Sequence, residues 1–447
     1  MKQWSAFLNK GITLLNLPDP LHLAPRSVCS GTVTLPGSKS ISNRALLMAA
    51  LCGQPVTLKN VLESDDTARM IEALTTLGVS VRRSESDPSE YQVEGCGGRW
   101  QPTQNELYLG NAGTAVRPLV AVLAASLSNT QVMRLDGNAR MRERPIAALI
   151  DSLTAAGANI QCHAEAGFLP LTIGSGFKGG EVTIDGSASS QYISALLMAL
   201  PLLSEDSELI LINEVISGPY IELTLAMLRD FGIQIDKHSD RHYKIPGRQC
   251  YRSPGNYFVE GDASGASYWI GAAAISGGPI TIYGVGKQSI QGDVRFAELA
   301  QQMGAEVEML DNAIRVSRRV KLSAIDVDCN DVPDAAMTLA PMALFAEGTT
   351  VIRNVASWRV KETDRLAAMA TELRKIGAQV EEGEDYLSVM APQRWQHATL
   401  DTYDDHRMAM CSALIAFSPV GVSINDPQCC SKTYPQFFDE FSRLCHD

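Results

Sequence analysis

The sequence repeats one pattern six times at an interval of about 73 residues. Each repeat has a polar or glycine-rich start, such as Gly37-Ser38-Lys39-Ser40, followed by a run rich in alanine, leucine and methionine. A polar start before an apolar run is typical of a helix N-terminus. Equivalent positions are 73, 75, 75, 71 and 71 residues apart, at Ser40, Gly113, Ala188, Ala263, Asp334 and Asp405. This spacing predicts six copies of one strand–helix–strand–helix–strands arrangement.

Five of the repeats also share a glycine where a second helix ends. These glycines are Gly78, Gly157, Gly232, Gly304 and Gly377. Glycine after a helical run predicts a C-terminal cap, and the apolar alternation beyond it predicts a strand. The sixth repeat ends with a helical run from Phe437 to Leu444, and we expect no further strand after it.

Six repeats are too many for one hydrophobic core, so the α/β chain is expected to form two similar domains of three repeats each. The boundary is expected between Tyr257 and Gly261, and the strand that precedes the first repeat fits either domain. Repetition by itself is compatible with an enzyme and with a non-catalytic binding scaffold.

Charge and cysteine usage exclude several classes of protein. The formal net charge is -12, and no basic stripe occurs, which argues against nucleic-acid binding. The ten cysteines form no C-x-x-C pair, so we expect reduced thiols, no zinc site and no disulfide framework. Residues 1–23 lack the apolar core of a signal peptide, and no run is long enough for a membrane helix. We therefore expect a cytoplasmic protein, with no role assigned to residues 1–16.

Basic residues are concentrated at the starts of the predicted helices. A cation at this position opposes the helix dipole unless an anion is also bound, so the pattern favours a phosphate or carboxylate ligand. For the segment around Lys361 and Arg365, expected to share one face of a helix with Glu362 and Asp364 beside them, a solvated salt-bridged surface is the alternative interpretation. The basic residues are Lys39, Arg44, Arg117, Arg144, Lys361, Arg365, Arg407 and Lys432.

From about Leu35 to Lys432 the chain resembles the 5-enolpyruvylshikimate-3-phosphate synthase family. The shared motifs are Pro-Gly-Ser-Lys-Ser, Gly-Asn-Ala-Gly-Thr-Ala-x-Arg-Pro (110–118), Arg-x-x-x-Arg-Pro (140–145), Arg-Val-Lys-Glu-Thr-Asp-Arg (359–365) and Asp-His-Arg-Met-Ala-Met (405–410). The resemblance implies an inside-out α/β barrel fold of two domains, each with three βαβαββ units. It assigns residues 38–258 to one domain and residues 1–37 with 259–447 to the other, with the active site in the cleft between them.

The resemblance also implies roles for individual residues. The catalytic group is Lys39, Asp334, Glu362 and His406. The contacts to shikimate-3-phosphate are Lys39, Ser40, Arg44, Ser189, Ser190, Gln191, Ser217, Asp334, Ser357 and Lys361. The contacts to phosphoenolpyruvate are Lys39, Asn111, Gly113, Arg117, Arg144, Gln191, Arg365, Arg407 and Lys432. Two positions depart from the family pattern, because many members carry Asn at Ser357 and several carry Lys at Gly218.

The implied reaction transfers the carboxyvinyl group of phosphoenolpyruvate to the 5-hydroxyl of shikimate-3-phosphate through a tetrahedral intermediate. It needs two titratable groups, one to deprotonate the hydroxyl and one to protonate the enol carbon, and no metal or cofactor. Small molecules are then the expected partners of a monomer that glyphosate inhibits. The alternatives are UDP-N-acetylglucosamine enolpyruvyl transferase, which uses a loop cysteine, and the non-catalytic scaffold.

Overall fold

The computed structural model describes residues 17–447, which divide into two compact units. The central unit is Gly37–Val259, and the terminal unit combines residues 17–36 with Glu260–Asp447. The domain bounds expected from the sequence differ from these by one residue at each division. Each unit is described separately below.

The segment that precedes the central unit contains three short strands, β1 Leu21–Leu23, β2 Val28–Cys29 and β3 Gly31–Thr34. In the central unit the helices are α1 Lys39–Leu51, α2 Asp65–Thr76, α3 Gly113–Ser126, α4 Ala139–Glu143, α5 Ala147–Ala155, α6 Ser190–Ala199 and α7 Pro219–Asp230, with a 3₁₀ helix at Leu200–Leu202. Its strands are β4 Val56–Lys59, β5 Ser80–Arg83, β6 Tyr91–Glu94, β7 Glu106–Tyr108, β8 Val132–Asp136, β9 Asn159–Cys162, β10 Leu171–Gly174, β11 Gly180–Asp185, β12 Ser207–Ile212, β13 Asp236–Ser239, β14 His242–Ile245 and β15 Asn256–Phe258.

In the remainder of the terminal unit, helices and strands alternate in the same order as in the central unit. Its helices are α8 Ala263–Ser276, α9 Phe296–Gln302, α10 Leu339–Ala343, α11 Arg365–Lys375, α12 His406–Ala413 and α13 Phe437–Leu444, with 3₁₀ helices at Gly292–Arg295, Ala335–Thr338, Ala356–Val360, Leu414–Phe417 and Pro427–Lys432. Its further strands are β16 Ile280–Tyr283, β17 Glu306–Met309, β18 Ala313–Ser317, β19 Leu322–Ser323, β20 Asp326–Asp328, β21 Ala346–Glu347, β22 Thr349–Arg353, β23 Gln379–Glu382, β24 Leu387–Met390, β25 Thr399–Leu400, β26 Val422–Ile424 and β27 Cys445–His446.

The sheets repeat one topology. The central unit has sheets in the orders β15-β4-β6-β5, β7-β8-β10-β9 and β11-β12-β14-β13, and the terminal unit has β3-β16-β18-β17 and β20-β22-β24-β23. In each sheet the first two strands are parallel, and the next two pairings are antiparallel. In the pairs β7-β8, β11-β12 and β20-β22 the parallel arrangement needs a crossover, which the first helix of that repeat supplies. In all five sheets the antiparallel hairpin follows a second helix. The repeated βαβαββ pattern expected from the sequence is confirmed.

Two strands pair outside the repeat that they precede in the chain. Strand β3 leads into the first repeat but pairs with β16 in the terminal unit, with Val33 opposite Ile282. Strand β15 leads into the fourth repeat but pairs with β4 in the central unit, with Tyr257 opposite Leu58. Each unit therefore completes one of its sheets with a strand from the far end of its own sequence.

The sixth repeat differs from the expectation that no strand follows its last helix. Strand β27 follows that helix and pairs with β2, with Cys445 opposite Cys29. The sixth sheet lacks a hairpin of its own, and β1 takes the vacant antiparallel place beside β26, with Leu21 opposite Ile424. The expectation was wrong because residues 28 and 29, from the other end of the sequence, pair their backbone groups with residues 445 and 446.

The first helices of the repeats form the cores and the sheets cover them. Every residue from Ile41 to Leu51 in α1 and from Ala263 to Ile275 in α8 is buried. Such helices are predominantly apolar on all sides, as a helix enclosed by protein requires, and the buried polar residues lie towards their N-termini. Gly271 permits close packing in α8, since a Cβ there would lie 2.8 Å from the Thr338 side chain. None of the helices described between residues 17 and 447 has the length and apolarity needed to cross a lipid bilayer.

All five glycines expected at helix ends lie at the C′ position, the residue after the C-cap. Their φ angles lie between 77° and 111°, in the left-handed region that only glycine adopts without strain. After α2, the amide of Gly78 donates to Thr75 O and the amide of Val79 donates to Leu74 O. The other four glycines repeat these two hydrogen bonds, so each second helix ends in a Schellman motif. The expectation is confirmed.

Candidate functional site

In the central unit, the first turns of three helices meet at Asp66. Lys39, the first residue of α1, places its Nζ 3.5 Å from Asp66 Oδ2. Asn43 Nδ2 donates to Thr114 Oγ1 at 2.8 Å, and the Thr114 hydroxyl lies 3.5 Å from the same Asp66 oxygen. Asp66 is 2% exposed. Asp66 therefore orients the ammonium group of Lys39, which is predicted to bind substrate. The sequence did not indicate this role of Asp66.

Arg44 is a buried guanidinium whose recorded partners in the described chain are neutral. Its Nε donates to Thr224 Oγ1 at 2.9 Å, its Nη2 donates to Ser194 Oγ at 3.2 Å, and its Nη1 donates to Ser40 O at 3.1 Å. Burial lowers the pKa of Arg44 from its ordinary value to about 10, and the nearby Tyr220 acts in the opposite direction. A buried cation whose acceptors are neutral is stabilised strongly when an anion binds beside it. This agrees with the predicted contact between Arg44 and shikimate-3-phosphate.

Two more buried guanidiniums flank Gly113 at the start of α3. A Cβ on Gly113 would lie 2.2 Å from Arg117 Nη1 and 3.1 Å from Arg144 Nη1. Arg144 Nη1 also donates to Asn111 Oδ1 at 3.3 Å. The two arginines are only 5% and 7% exposed. Four residues predicted to bind phosphoenolpyruvate are thus adjacent in space. Two of them, Arg117 and Arg144, place their positive charges on either side of Gly113.

The motif from Arg140 to Pro145, which includes one of the basic residues expected at a helix start, does not lie in one continuous helix. The short helix α4 ends at Glu143, Arg144 follows in an extended conformation, and α5 begins at Ala147. Pro145 causes the interruption, because the residue before a proline is driven out of the helical region. Arg144 is therefore held in a loop between two helices instead of at a helix start.

The remaining predicted residues of the central unit lie at the starts of α6 and α7. Ser189 is the N-cap of α6, and its hydroxyl accepts a hydrogen bond from the Gln191 amide at 3.2 Å. Ser190 is buried, and Ser217 is buried with a left-handed φ of 55°. Gly218 has open space around its Cβ position, since a Cβ added there would meet no atom within 4 Å.

In the terminal unit, Asp334 is the centre of a network of charges. Arg365 Nη1 donates to Asp334 Oδ1 at 3.0 Å, and Lys361 Nζ lies 3.6 Å from the same oxygen. Arg407 Nη2 donates to Asp334 Oδ2 at 3.1 Å. Burial alone would raise the pKa of Asp334, but the charges of Arg407, Lys361 and Arg365 outweigh it and hold that pKa well below its ordinary value. The carboxyl is therefore ionised and can only accept a proton.

Glu362 joins the same network from the other side of Arg365. Arg365 Nη2 donates to Glu362 Oε2 at 2.9 Å, and Lys432 Nζ lies 3.8 Å from Glu362 Oε1. Arg365 Nε donates to Asp405 Oδ2 at 2.7 Å. One guanidinium thus contacts three carboxylates. The two carboxylates predicted to transfer protons are held by a single shared cation, Arg365, which fixes their orientation.

Lys361 and Arg365 do not share a helix face, contrary to the sequence-based expectation. Lys361 follows the 3₁₀ helix Ala356–Val360, and α11 begins at Arg365. Asp364 separates the two, because its side chain caps α11 by accepting from the Ala367 amide at 3.1 Å. The solvated-surface interpretation is also wrong for Arg365, which is 1% exposed.

Two other residues of this unit, His406 and Ser357, are also predicted to belong to the site. His406 is the first residue of α12 and is 1% exposed, with its Nδ1 3.7 Å from Asp405 Oδ1. Ser357 is half-buried in the 3₁₀ helix, beside Trp358, whose Nε1 donates to Pro333 O at 2.6 Å. That hydrogen bond ties the Ser357 segment to the residue before Asp334. The roles of His406 and Ser357 stay predictions.

The fourth repeat, whose first helix starts without a basic residue at Asp262-Ala263-Ser264, contributes groups that sequence reasoning missed. Arg407 Nη1 donates to the Tyr268 hydroxyl at 3.3 Å. Asp293 is buried and accepts a hydrogen bond from the Ser264 hydroxyl. Burial and the neighbouring charge of Asp334 raise the pKa of Asp293 to about 7. No local motif marks Asp293, so only its position in the folded chain could reveal it.

Comparison with known proteins gives a consistent result. A sequence profile described as EPSP synthase (3-phosphoshikimate 1-carboxyvinyltransferase) matches residues 23–441. A protein named 3-phosphoshikimate 1-carboxyvinyltransferase from Idiomarina loihiensis is 62% identical over 429 residues, which is 96% of this chain and 99% of the relative. One of the same name from Vibrio cholerae is 52% identical over 428 residues, covering 95% of this chain and 99% of the relative.

Solved structures agree at the level of the fold. EPSP synthase from Acinetobacter baumannii has a TM-score of 0.80 at 24% identity and covers 95% of this chain and 98% of its own. The enolpyruvyl transferase NikO from Streptomyces tendae has a TM-score of 0.76 at 18% identity and covers 96% and 98% of the two chains. At these identities the likeness shows the fold alone.

Proposed function

The chain belongs to the EPSP synthase (3-phosphoshikimate 1-carboxyvinyltransferase) family, and from this premise we propose how it carries out its transfer reaction. The protein is a transferase that moves the carboxyvinyl group of phosphoenolpyruvate to the 5-hydroxyl of shikimate-3-phosphate and releases phosphate. The observation that carries the residue-level proposal is the network around Asp334, where an ionised carboxylate is surrounded by three cations.

The buried cations are proposed to bind the phosphate and carboxylate groups of the two substrates. Each substrate brings one phosphate and one carboxylate, which explains why a protein of net charge -12 places so many guanidiniums inside. Guanidinium groups suit this purpose, because they form bidentate, charge-assisted hydrogen bonds with such anions. Both units are proposed to contribute to the same reaction. The shikimate-3-phosphate group is Lys39, Ser40, Arg44, Ser189, Ser190, Gln191, Ser217, Asp334, Ser357 and Lys361, and the phosphoenolpyruvate group is Lys39, Asn111, Gly113, Arg117, Arg144, Gln191, Arg365, Arg407 and Lys432.

Asp334 is proposed to accept the proton of the 5-hydroxyl as the oxygen attacks C2 of phosphoenolpyruvate. Glu362, assisted by Lys39, is proposed to give a proton to the methylene carbon, which completes a tetrahedral intermediate. Glu362 then takes a proton back from the new methyl group as the bond between C2 and the phosphate oxygen breaks, and the vinyl group is restored. The phosphate leaves with the proton that Asp334 accepted from the 5-hydroxyl. When substrate anions engage Arg365 and Arg407, these cations stabilise the Asp334 carboxylate less, and its basicity rises. Substrate binding thereby prepares the base.

The two alternative functions are less well supported. The relatives named above are 3-phosphoshikimate 1-carboxyvinyltransferases, and the cysteines nearest the expected loop, Cys96 and Cys162, lie outside the motif of the UDP-N-acetylglucosamine enzyme. A binding scaffold has no need for paired carboxylates among its cations. The arrangement of Asp334 and Glu362 around Arg365 therefore favours turnover.

Phosphate release tests the function directly. We expect inorganic phosphate to form when the protein is mixed with shikimate-3-phosphate and phosphoenolpyruvate, and not when either is omitted. Chelation with EDTA should leave the rate unchanged. Release with UDP-N-acetylglucosamine in place of shikimate-3-phosphate, and none with the first pair, would assign the protein to the rival reaction.

Gly113→Ala should weaken phosphoenolpyruvate binding selectively. The new Cβ would displace Arg117 Nη1, 2.2 Å away, and press on Arg144 Nη1, 3.1 Å away. We expect KM for phosphoenolpyruvate to rise about 10-fold or more, equivalent to a loss of about 1.4 kcal/mol of binding, while KM for shikimate-3-phosphate changes little. Glyphosate should inhibit the wild type at micromolar concentration, competitively with phosphoenolpyruvate, and the variant only at higher concentration.

The matched control for Gly113→Ala is Gly53→Ala, where an added Cβ meets no atom within 4 Å. We expect its kinetics and glyphosate inhibition to equal those of the wild type. Equal KM values for phosphoenolpyruvate in Gly113→Ala and Gly53→Ala would remove Arg117 and Arg144 from the proposed site.

The proposal extends to assembly and location. A monomer in the cytoplasm is supported by the family resemblance and by cysteines that follow no disulfide spacing. The acidic net charge supports small-molecule partners over nucleic acid.

A further inference from the structure

Glu372 is a buried carboxylate with no place in the proposed reaction. It lies on α11 and is 1% exposed. Its Oε1 accepts a hydrogen bond from the Tyr403 hydroxyl at 2.6 Å. Its Oε2 accepts from the Asp401 amide at 3.0 Å and pairs with Lys375 Nζ at 2.7 Å. Glu372 therefore anchors the segment before α12, residues 401–404, to α11.

The anchored segment has a backbone conformation that needs external support. Tyr403 and Asp404 have φ angles of 56° and 55°, so two successive residues with side chains are left-handed. This conformation costs free energy for residues other than glycine and persists only where the surroundings hold it. Burial and the hydrogen bond to Glu372 raise the pKa of Tyr403 to about 12, so its hydroxyl stays a donor at neutral pH.

The segment leads directly into the proposed phosphoenolpyruvate site. The Asp405 amide donates to Thr402 O at 2.9 Å, which closes the turn. Asp405 Oδ1 then accepts from the Arg407 amide at 2.9 Å, and Asp405 Oδ2 accepts from Arg365 Nε at 2.7 Å. Any shift of residues 401–404 moves Asp405, and with it the guanidinium of Arg365 and the first turn that carries Arg407.

We infer that Glu372 and Tyr403 are positioning residues, which hold Asp405 so that Arg365 and Arg407 are correctly placed for the phosphoenolpyruvate anion. The inference rests on the proposed function for the identity of that anion. The claim that α11 holds residues 401–405 in place rests only on the contacts between them. Helix α11 contacts residues 401–404 through Glu372 and Lys375 in its second half, the latter by pairing with Asp401 Oδ2 at 2.8 Å. Its first residue, Arg365, contacts Asp405.

Tyr403→Phe tests the inference with little change in packing, because the ring is partly exposed and only the hydroxyl is removed. We expect KM for phosphoenolpyruvate to rise about 5- to 10-fold, the effect of losing one hydrogen bond to a charged group, with KM for shikimate-3-phosphate unchanged. The matched control is Tyr386→Phe, which removes a hydroxyl that donates to Glu381 Oε1 at 2.6 Å in an exposed pair of the same unit. The control should match the wild type.

Hydrogen exchange provides a readout that does not depend on the reaction. In Tyr403→Phe the amides of Asp405 and Arg407 should exchange at least about 3-fold faster than in the wild type and in Tyr386→Phe. Unchanged exchange rates would refute the claim that Tyr403 restrains Asp405, whether or not the protein is active. Faster exchange with an unchanged KM for phosphoenolpyruvate overturns the positioning role. An inactive wild type refutes the proposed function, while the exchange rates still decide whether Tyr403 restrains Asp405.

Glu372→Ala combined with Tyr403→Phe tests whether the tyrosine acts through the glutamate. If it does, Tyr403→Phe causes no further rise in KM for phosphoenolpyruvate when Glu372 is already alanine. Additive effects of the two substitutions overturn the role assigned to Glu372.

Discussion

Asp334→Asn is expected to lose turnover by a factor on the order of 10² to 10⁴, the range measured for general acid–base groups. An amide keeps the shape of the side chain and one oxygen acceptor, but it cannot take the proton of the 5-hydroxyl. Alanine is a poorer test, because it would leave Arg365, Arg407 and Lys361 beside a vacancy and add a folding defect. The measurement is kcat from phosphate release, with the melting temperature recorded alongside.

The binding constants of this variant separate proton transfer from anion binding. Removing the negative charge releases three cations to interact with substrate anions, so KM for phosphoenolpyruvate should stay equal or fall. The control is Asp331→Asn, because Asp331 is 48% exposed and pairs with Arg295 at the surface. Near-wild-type kcat in Asp334→Asn would show that another group accepts the proton.

Asp405→Asn is expected to lower the free energy of unfolding by about 1.5–3 kcal/mol, the contribution of a hydrogen bond to a charged group, because Arg365 keeps Asp334 and Glu362 as partners. The Asp405 and Arg365 side chains are 0% and 1% exposed, so water cannot replace the lost charge. Asparagine remains a good N-cap for α12, which limits the loss to the pairing with Arg365. Urea unfolding measures the change as a shift in the midpoint.

An exposed pair of the same kind provides the comparison. Arg353 donates to both Asp326 oxygens at 2.6 and 2.7 Å, but the two side chains are 50% and 55% exposed. Asp326→Asn should cost less than about 1 kcal/mol, as surface ion pairs generally do. Equal losses in the two variants would contradict the view that burial makes the Arg365–Asp405 pair important.

Local sequence signals predicted local structure well. The five glycines at helix ends, the apolar first helices and the strand that follows each second helix are all present, because each depends on a few neighbouring residues. The family, the fold class and the transferase function were also predicted from the sequence, and they are confirmed. The roles of individual site residues stay predictions.

The failures share a physical cause. The segment from Lys361 to Arg365 has the composition of a solvated helix, and nothing within it shows that Arg365 is buried. That burial depends on Asp334, 31 residues earlier, and on Asp405, 40 residues later. Asp66, Asp293 and Glu372 received no role from the sequence for the same reason, since each contacts a residue from another helix or loop. Those residues are Lys39, Ser264 and Tyr403.

The sequence by itself determined the repeat, the helix ends and the motifs that identify the family, because capping, backbone freedom and side-chain charge are local properties. Only the tertiary structure decided which strands pair and which charges meet. Strands β3 and β15 precede their helices just as β7 and β11 do, yet β3 pairs with β16 and β15 pairs with β4. A strand's local sequence sets its conformation, but its partner is chosen by whichever sheet edge the folded chain brings to it.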